Sequence, residues 1–106
     1  MRQGTTPKHT FKLPFSIPDG SVVRVIYKQS ENVLFVKTAN DCAIEADTIS
    51  LRLTQEETFQ FDVRYKVRIQ IRILTPNDEA LESEVIVRTV KECLEREVLS
   101  LEENEE

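Results

Sequence analysis

Apolar residues fall on every second position from Phe11 through Leu13 and Phe15 to Ile17, which predicts a strand with one buried face over 10–17. Pro14 lies on the other face. Proline cannot donate to a ladder, so this strand is expected at a sheet edge. Pro18-Asp19-Gly20 reads as a turn. The stretches 21–29 and 32–38 are rich in β-branched and aromatic residues, and Ser30-Glu31 between them predicts a hairpin. Val23, Val25 and Tyr27 share its inner face; Arg24, Ile26 and Lys28 share the other. A loop at 39–42 leads to a short extended piece at 43–45 and a strand near 48–53, with Ile49, Leu51 and Leu53 pointing one way.

The period of two breaks at 54–61. Thr54 followed by Glu57 forms a capping box, so one short helical turn near 54–58 is expected, with Phe59 and Phe61 anchoring it. The alternation then returns over YKVRIQIRILTPNDEALESEVIVRTV, residues 65–90. Tyr65, Val67, Ile69, Ile71 and Ile73 are expected inside; Lys66, Arg68, Gln70 and Arg72 outside. Pro76 suits the second position of a type I turn. A five-residue loop, Thr75 to Glu79, sets Ile73 opposite Leu81, Ile69 opposite Val85 and Val67 opposite Val87. It also sets Arg72 beside Glu82 and Gln70 beside Glu84. A loop one residue shorter would place Glu82 and Glu84 on the buried face, where unpaired carboxylates cost several kcal/mol, so the longer loop is preferred.

From Val90 the spacing changes to three and four, through Leu94, Val98 and Leu101, which predicts a short C-terminal amphipathic helix. Acids crowd its end, where the macrodipole disfavours negative charge. About seven short strands with turns between them and little helix predict an all-β, immunoglobulin-like Greek-key sandwich, with a small barrel as the alternative. The capped turn resembles the corner between strands E and F of immunoglobulin-like domains, although the tryptophan of antibody domains is missing. Residues 1–9, with Gly4 and Pro7 and no period, read as a flexible N-terminal arm, 10–98 as one sandwich domain, and 99–106 as an acidic tail.

Charge narrows the range of partners. The formal charge is -5, and Glu102, Glu103, Glu105 and Glu106 supply four of those charges, leaving the rest near neutral. Nucleic-acid binding would call for a basic footprint. No apolar run approaches the roughly 20 residues of a membrane helix, and the start lacks a signal-peptide apolar segment, so neither a membrane nor export is expected. Cys42 and Cys93 lack a CxxC partner and are expected as free thiols.

Candidate chemistry is sparse. With only Gly4 and Gly20, neither a GxGxxG motif nor a P-loop exists. His9 is the single histidine and falls in the expected arm, where nothing holds an imidazole for a triad or a zinc site. The adjacent Glu56 and Glu57 fit the first turn of a helix better than an acid–base pair. No catalytic, cofactor or metal residues are therefore assigned, and no enzyme is expected. Candidate interaction residues are Arg68, Arg72 and Arg88, which with Lys66 make a basic stripe, and the apolar Leu99 and Leu101. Glu82 and Glu84 are expected on the same face, neutralising much of the stripe. A carbohydrate-binding module is the alternative; it needs exposed aromatics, whereas Tyr27 and Tyr65 read as core-facing.

LRLTQEETFQF followed by VRIQIRILTPNDEALESEVIVRTVKECL resembles small phage and prophage proteins of Gram-positive bacteria. Their layout is a strand, a TQEET-like corner, a VQIR-like strand, a turn and a closing strand ending in Val-x-x-x-Leu. It is also similar to the immunoglobulin-like N-terminal part of phage baseplate upper proteins. The resemblance covers about residues 10–98 and implies a non-enzymatic tail or baseplate protein. Other virion proteins are its implied partners, with self-association a further expectation. It would reside in the bacterial host cytoplasm during assembly and then in the virion.

Overall fold

Antiparallel pairing organises the chain into two sheets in the computed structural model, which describes residues 1–104. The expected acidic tail therefore lies partly outside the described residues, at Glu105 and Glu106. Strand β1 (Lys8–Lys12) is followed by β2 (Val22–Gln29), β3 (Asn32–Thr38), β4 (Ala43–Glu45), β5 (Thr48–Arg52), α1 (Gln55–Phe59), β6 (Val67–Leu74), β7 (Ala80–Glu82) and β8 (Ile86–Arg88). The smaller sheet has the order β1-β5-β4. The larger runs β3-β2-β6, with β7 and β8 both pairing β6. Because β2 occupies the full length of β6 on one side, β7 and β8 take successive halves of its other side and act as one interrupted edge.

The two inner faces close on each other in a sandwich-like core. Phe11, Ile49 and Leu51 come from the small sheet; Val23, Val25, Tyr27, Val67, Ile69, Ile71 and Ile73 come from the large one, and Phe61 fills between them. Period-two alternation puts these residues inside, and truncating any one of the isoleucines to alanine should cost about 2–5 kcal/mol. The crossing from β5 to β6 is made by α1. Thr54 accepts from the Glu57 amide at 3.1 Å while the Glu57 carboxylate accepts from the Thr54 amide at 2.8 Å, closing the capping box. Glu57 also pairs with Lys37 on β3, fastening the turn to the large sheet.

Four sequence expectations change. First, Val90–Leu101 forms no C-terminal α-helix. Its start is instead tied to the N-terminus, where the Lys91 amide donates to Met1 at 2.8 Å and the Gln3 amide donates to Lys91 at 3.0 Å, and the residues after Lys91 run irregularly with bends at Leu94 and Glu97. A helix this short is marginal alone, and its acids oppose its own dipole. Among the described residues a single 3₁₀ turn, Leu101–Asn104, follows. Second, residues 1–9 are tied into the fold. Gln3 is buried with its side-chain amide donating to Phe61 at 2.6 Å, and Lys8 and His9 belong to β1. Gly4 sits at φ +77°, where an added Cβ would meet the Phe59 ring at 2.7 Å, so the segment packs directly on α1. Third, the first strand ends at Lys12 instead of Ile17; beyond it the Leu13 and Ile17 amides donate to Asp47 and Ala46 at the β4–β5 turn. Fourth, Tyr65 precedes β6 and is half exposed, with the Arg64 guanidinium 5.6 Å over its ring.

The long hairpin follows the expected register only in its first half. Arg72 pairs with Glu82 and Ile73 with Leu81 across the five-residue loop. Past Ser83 the pairing shifts by one: Ile69 faces Ile86, Arg68 faces Val87 and Val67 faces Arg88. This bulge inverts the later residues, so Val85 and Val87 point outward and Ile86 packs against the core.

Candidate interaction surface

The bulge remakes the outer face of the five-stranded sheet. Residues 24 and 28 on β2 and 68 and 72 on β6 share that face, since each pair is four apart in a strand. Antiparallel pairing sets Arg24 directly opposite Arg72 and Lys28 directly opposite Arg68, with Ile26 opposite Gln70 between them. Two cation pairs therefore lie about 13 Å apart along the strands. Like charges directly opposite each other destabilise a sheet, so the fold itself gains nothing from this arrangement.

Acidic compensation is thin. Glu82 remains beside Arg72 in the register. Glu84, expected next to Gln70, has been carried off the face by the bulge, and Val85 lies there in its place. Among the described residues none of the four cations forms an ion pair. Arg68 turns one guanidinium nitrogen to the Ser30 carbonyl, a neutral acceptor that leaves the charge uncompensated. Apolar side chains frame the array: Val22, Val33, Val36, Leu74, Val85 and Val87 are all exposed, Val33 at 55% and Val22 at 54%. Each cation pair borders a depression. One of about 510 Å³ is lined by Val22, Arg24, Arg72, Leu74 and Glu82 among others, and one of about 170 Å³ by Ile26, Lys28, Arg68 and Val85 among others.

The candidate residues named from sequence divide into three places. Arg68 and Arg72 belong to the array. Arg88 does not: opposite Val67, it turns to the inner side and lines a cleft of about 700 Å³ between the sheets with Phe11, Leu13, Glu84 and Ile86. Leu99 and Leu101 are exposed at 62% and 87%, beside α1, where the Gln55 side chain accepts from the Leu99 amide at 2.8 Å and donates to its carbonyl at 3.2 Å. Sequence reading missed Arg24 and Lys28 as partners of the stripe. Their four-residue spacing, matching that of Arg68 and Arg72, was the available signal.

The one histidine is not free in solvent. His9 stands on β1, partly buried, and its Nδ1 shares a 2.7 Å hydrogen bond with the hydroxyl of the fully buried Tyr27, which in turn stacks on Phe35. Burial, then the positive charge of Arg88 and of the Met1 amino group, lowers the His9 pKa. Burial raises the Tyr27 pKa, with smaller contributions from Cys42 and Glu57. The ring and the phenol are thus both held neutral, as a satisfied polar pair at the core's edge. Cys42 and Cys93 are separate, partly buried free thiols.

Fold and surface together define an all-β protein of two antiparallel sheets with a basic, apolar-framed outer face. Among the described residues no helix is long and apolar enough to cross a membrane. Comparison with protein-family models, curated proteins and solved structures finds no significant match to this chain.

Proposed function

We propose that the protein is a non-enzymatic structural or assembly component that works through protein–protein contact on the outer face of its five-stranded sheet. The single observation supporting this reading is the array of Arg24, Arg72, Lys28 and Arg68, unpaired among the described residues and framed by exposed valines. Interface cores combine apolar area with arginine in this way, and an acidic partner would turn the repulsion within the array into attraction. The resemblance of the TQEET corner and the following hairpin assigns the component to a phage or prophage tail or baseplate, with virion proteins as partners. On the same reading the sandwich is of the immunoglobulin-like Greek-key type, the capped α1 turn serving as its corner between sheets.

Incorporation into particles tests the proposal. Particles and assembly intermediates purified from the source host should contain the wild-type protein. The double variant Arg68→Glu with Arg72→Glu, which keeps its circular dichroism spectrum, should be depleted about tenfold, as expected for charge reversal at an interface core. Absence of the wild-type protein from particles and intermediates alike would overturn the virion role.

A further inference from the structure

The array also constrains what covers it. An isologous dimer through this face would bring two copies of the same four cations together, eight positive charges against the two Glu82 carboxylates, which Coulomb repulsion opposes. The occupant must be acidic. Within this chain the acidic run is Glu102, Glu103, Glu105 and Glu106, preceded by the exposed Leu99 and Leu101. Glu102 and Glu106 are four residues apart in sequence, so an extended segment would present both on one face about 13 Å apart, matching the spacing of the two cation pairs. The two leucines supply apolar groups for the valine frame.

The run leaves from the wrong side to reach its own array. Leu99 is held to Gln55 of α1, and α1 is fastened by Glu57 to Lys37, whose partner Val25 belongs to the inner face. Glu102 and Glu103 follow the Leu99 anchor by three and four residues, a reach of about 10–14 Å. We infer that the segment Leu99–Glu106 of one copy docks on the outer sheet face of a second copy, placing Glu102 and Glu106 on the two cation pairs Arg24–Arg72 and Lys28–Arg68. Such a contact is heterologous: each copy offers one tail and one face, so association runs head to tail and ends in a ring or an open string. This inference rests on the outer face being the interface proposed above.

Sedimentation velocity on the full chain tests it. At about 100 µM protein and 50 mM salt the chain should form dimers and larger species, dissociating about tenfold more readily at 500 mM salt as the charges are screened. A face variant (Arg68→Glu, Arg72→Glu) and a tail variant (Glu102→Lys, Glu103→Lys, Glu105→Lys, Glu106→Lys) should each be monomeric. Mixed together, these two variants should associate, because the face variant keeps the acidic tail and the tail variant keeps the basic face; a mixture that stays monomeric would overturn the contact. A full chain monomeric under all conditions, or association unchanged by the tail variant, would overturn the tail as occupant. A titration with a soluble poly-glutamate peptide separates the two levels. Binding abolished by the face variant keeps the face as an acidic-partner interface even if the tail fails, whereas no binding by wild type, together with a monomeric chain, removes both.

Discussion

The Ser83 hydroxyl accepts a hydrogen bond from the Ile71 amide at 3.0 Å and donates to the Glu84 carbonyl at 2.9 Å. A side chain thereby replaces a ladder partner at the point where β7 gives way to β8, and the Ser83 amide still donates to the Ile71 carbonyl at 2.9 Å. The bulge that exposes Val85 and Val87 and removes Glu84 from the basic face depends on this one hydroxyl. Ser83→Ala leaves the Ile71 amide without a partner in a partly buried setting, at a cost of about 1–3 kcal/mol. Urea unfolding should show a lower midpoint with an unchanged slope. Glu84→Ala, which removes no described side-chain bond, should fall within about 0.5 kcal/mol of wild type. Equal effects from the two variants would remove the hydroxyl from the account.

Gln29 closes the other end of β2. Buried at the strand's end, its side chain donates to the Asp62 and Tyr65 carbonyls at 2.8 and 2.9 Å and accepts from the Asp62 amide at 2.8 Å. Two donors and one acceptor are all used to hold the loop before β6. Gln29→Glu keeps the shape but turns a carboxylate oxygen toward two carbonyl oxygens. At neutral pH this should cost about 3–5 kcal/mol, as for an uncompensated buried charge. Burial and the facing carbonyls would raise the introduced carboxyl's pKa in the folded state, so the folded protein binds the proton more tightly than the unfolded chain. The lost stability should therefore return as pH falls through that raised pKa. Thermal melts at pH 7 and pH 4.5 check the sign: a variant no more stable relative to wild type at the lower pH would contradict the assigned hydrogen bonds.

What could be read from the chain was what is local. Thr54 and Glu57 are three apart and satisfy each other, so the capping box needed no knowledge of the rest. Ile73 opposite Leu81 followed from the loop and from keeping Glu82 out of the core. The failure past Ser83 has a physical source: Val85, Ile86 and Val87 are apolar at both parities, so alternation assigns them no face, and a hydroxyl capturing an amide leaves no trace in a hydrophobic pattern. The C-terminal stripe from Val90 to Leu101 has helical spacing, yet its backbone partners are at Met1–Gln3, some ninety residues away. His9 joins β1 because it pairs with Leu51. The basic array needed β2 beside β6, a pairing between strands that are not neighbours in sequence.

Because His9 is neutral and lodged against Tyr27 in the folded protein, its protonation must work against folding. Burial, Arg88 and the Met1 amino group all lower its folded pKa beneath the ordinary 6.5 of an unfolded chain. Above 6.5 neither state is protonated and stability is flat with respect to this group. Below 6.5 the unfolded chain takes up the proton first, so stability declines as pH falls, and the decline stops only beneath the folded pKa. The neighbouring charges that face the ring carry the same sign as the imidazolium, and raising salt should soften the decline by screening them. His9→Phe fills the same space beside Phe11 without a titrating group. It should lose the bond to Tyr27, about 0.5–1.5 kcal/mol at pH 7.5, yet show a shallower fall between pH 6.5 and 5 than wild type. Urea midpoints measured across that range for both proteins decide it: parallel curves would mean that His9 does not couple to folding, and the His9–Tyr27 pair would then be no more than a surface contact.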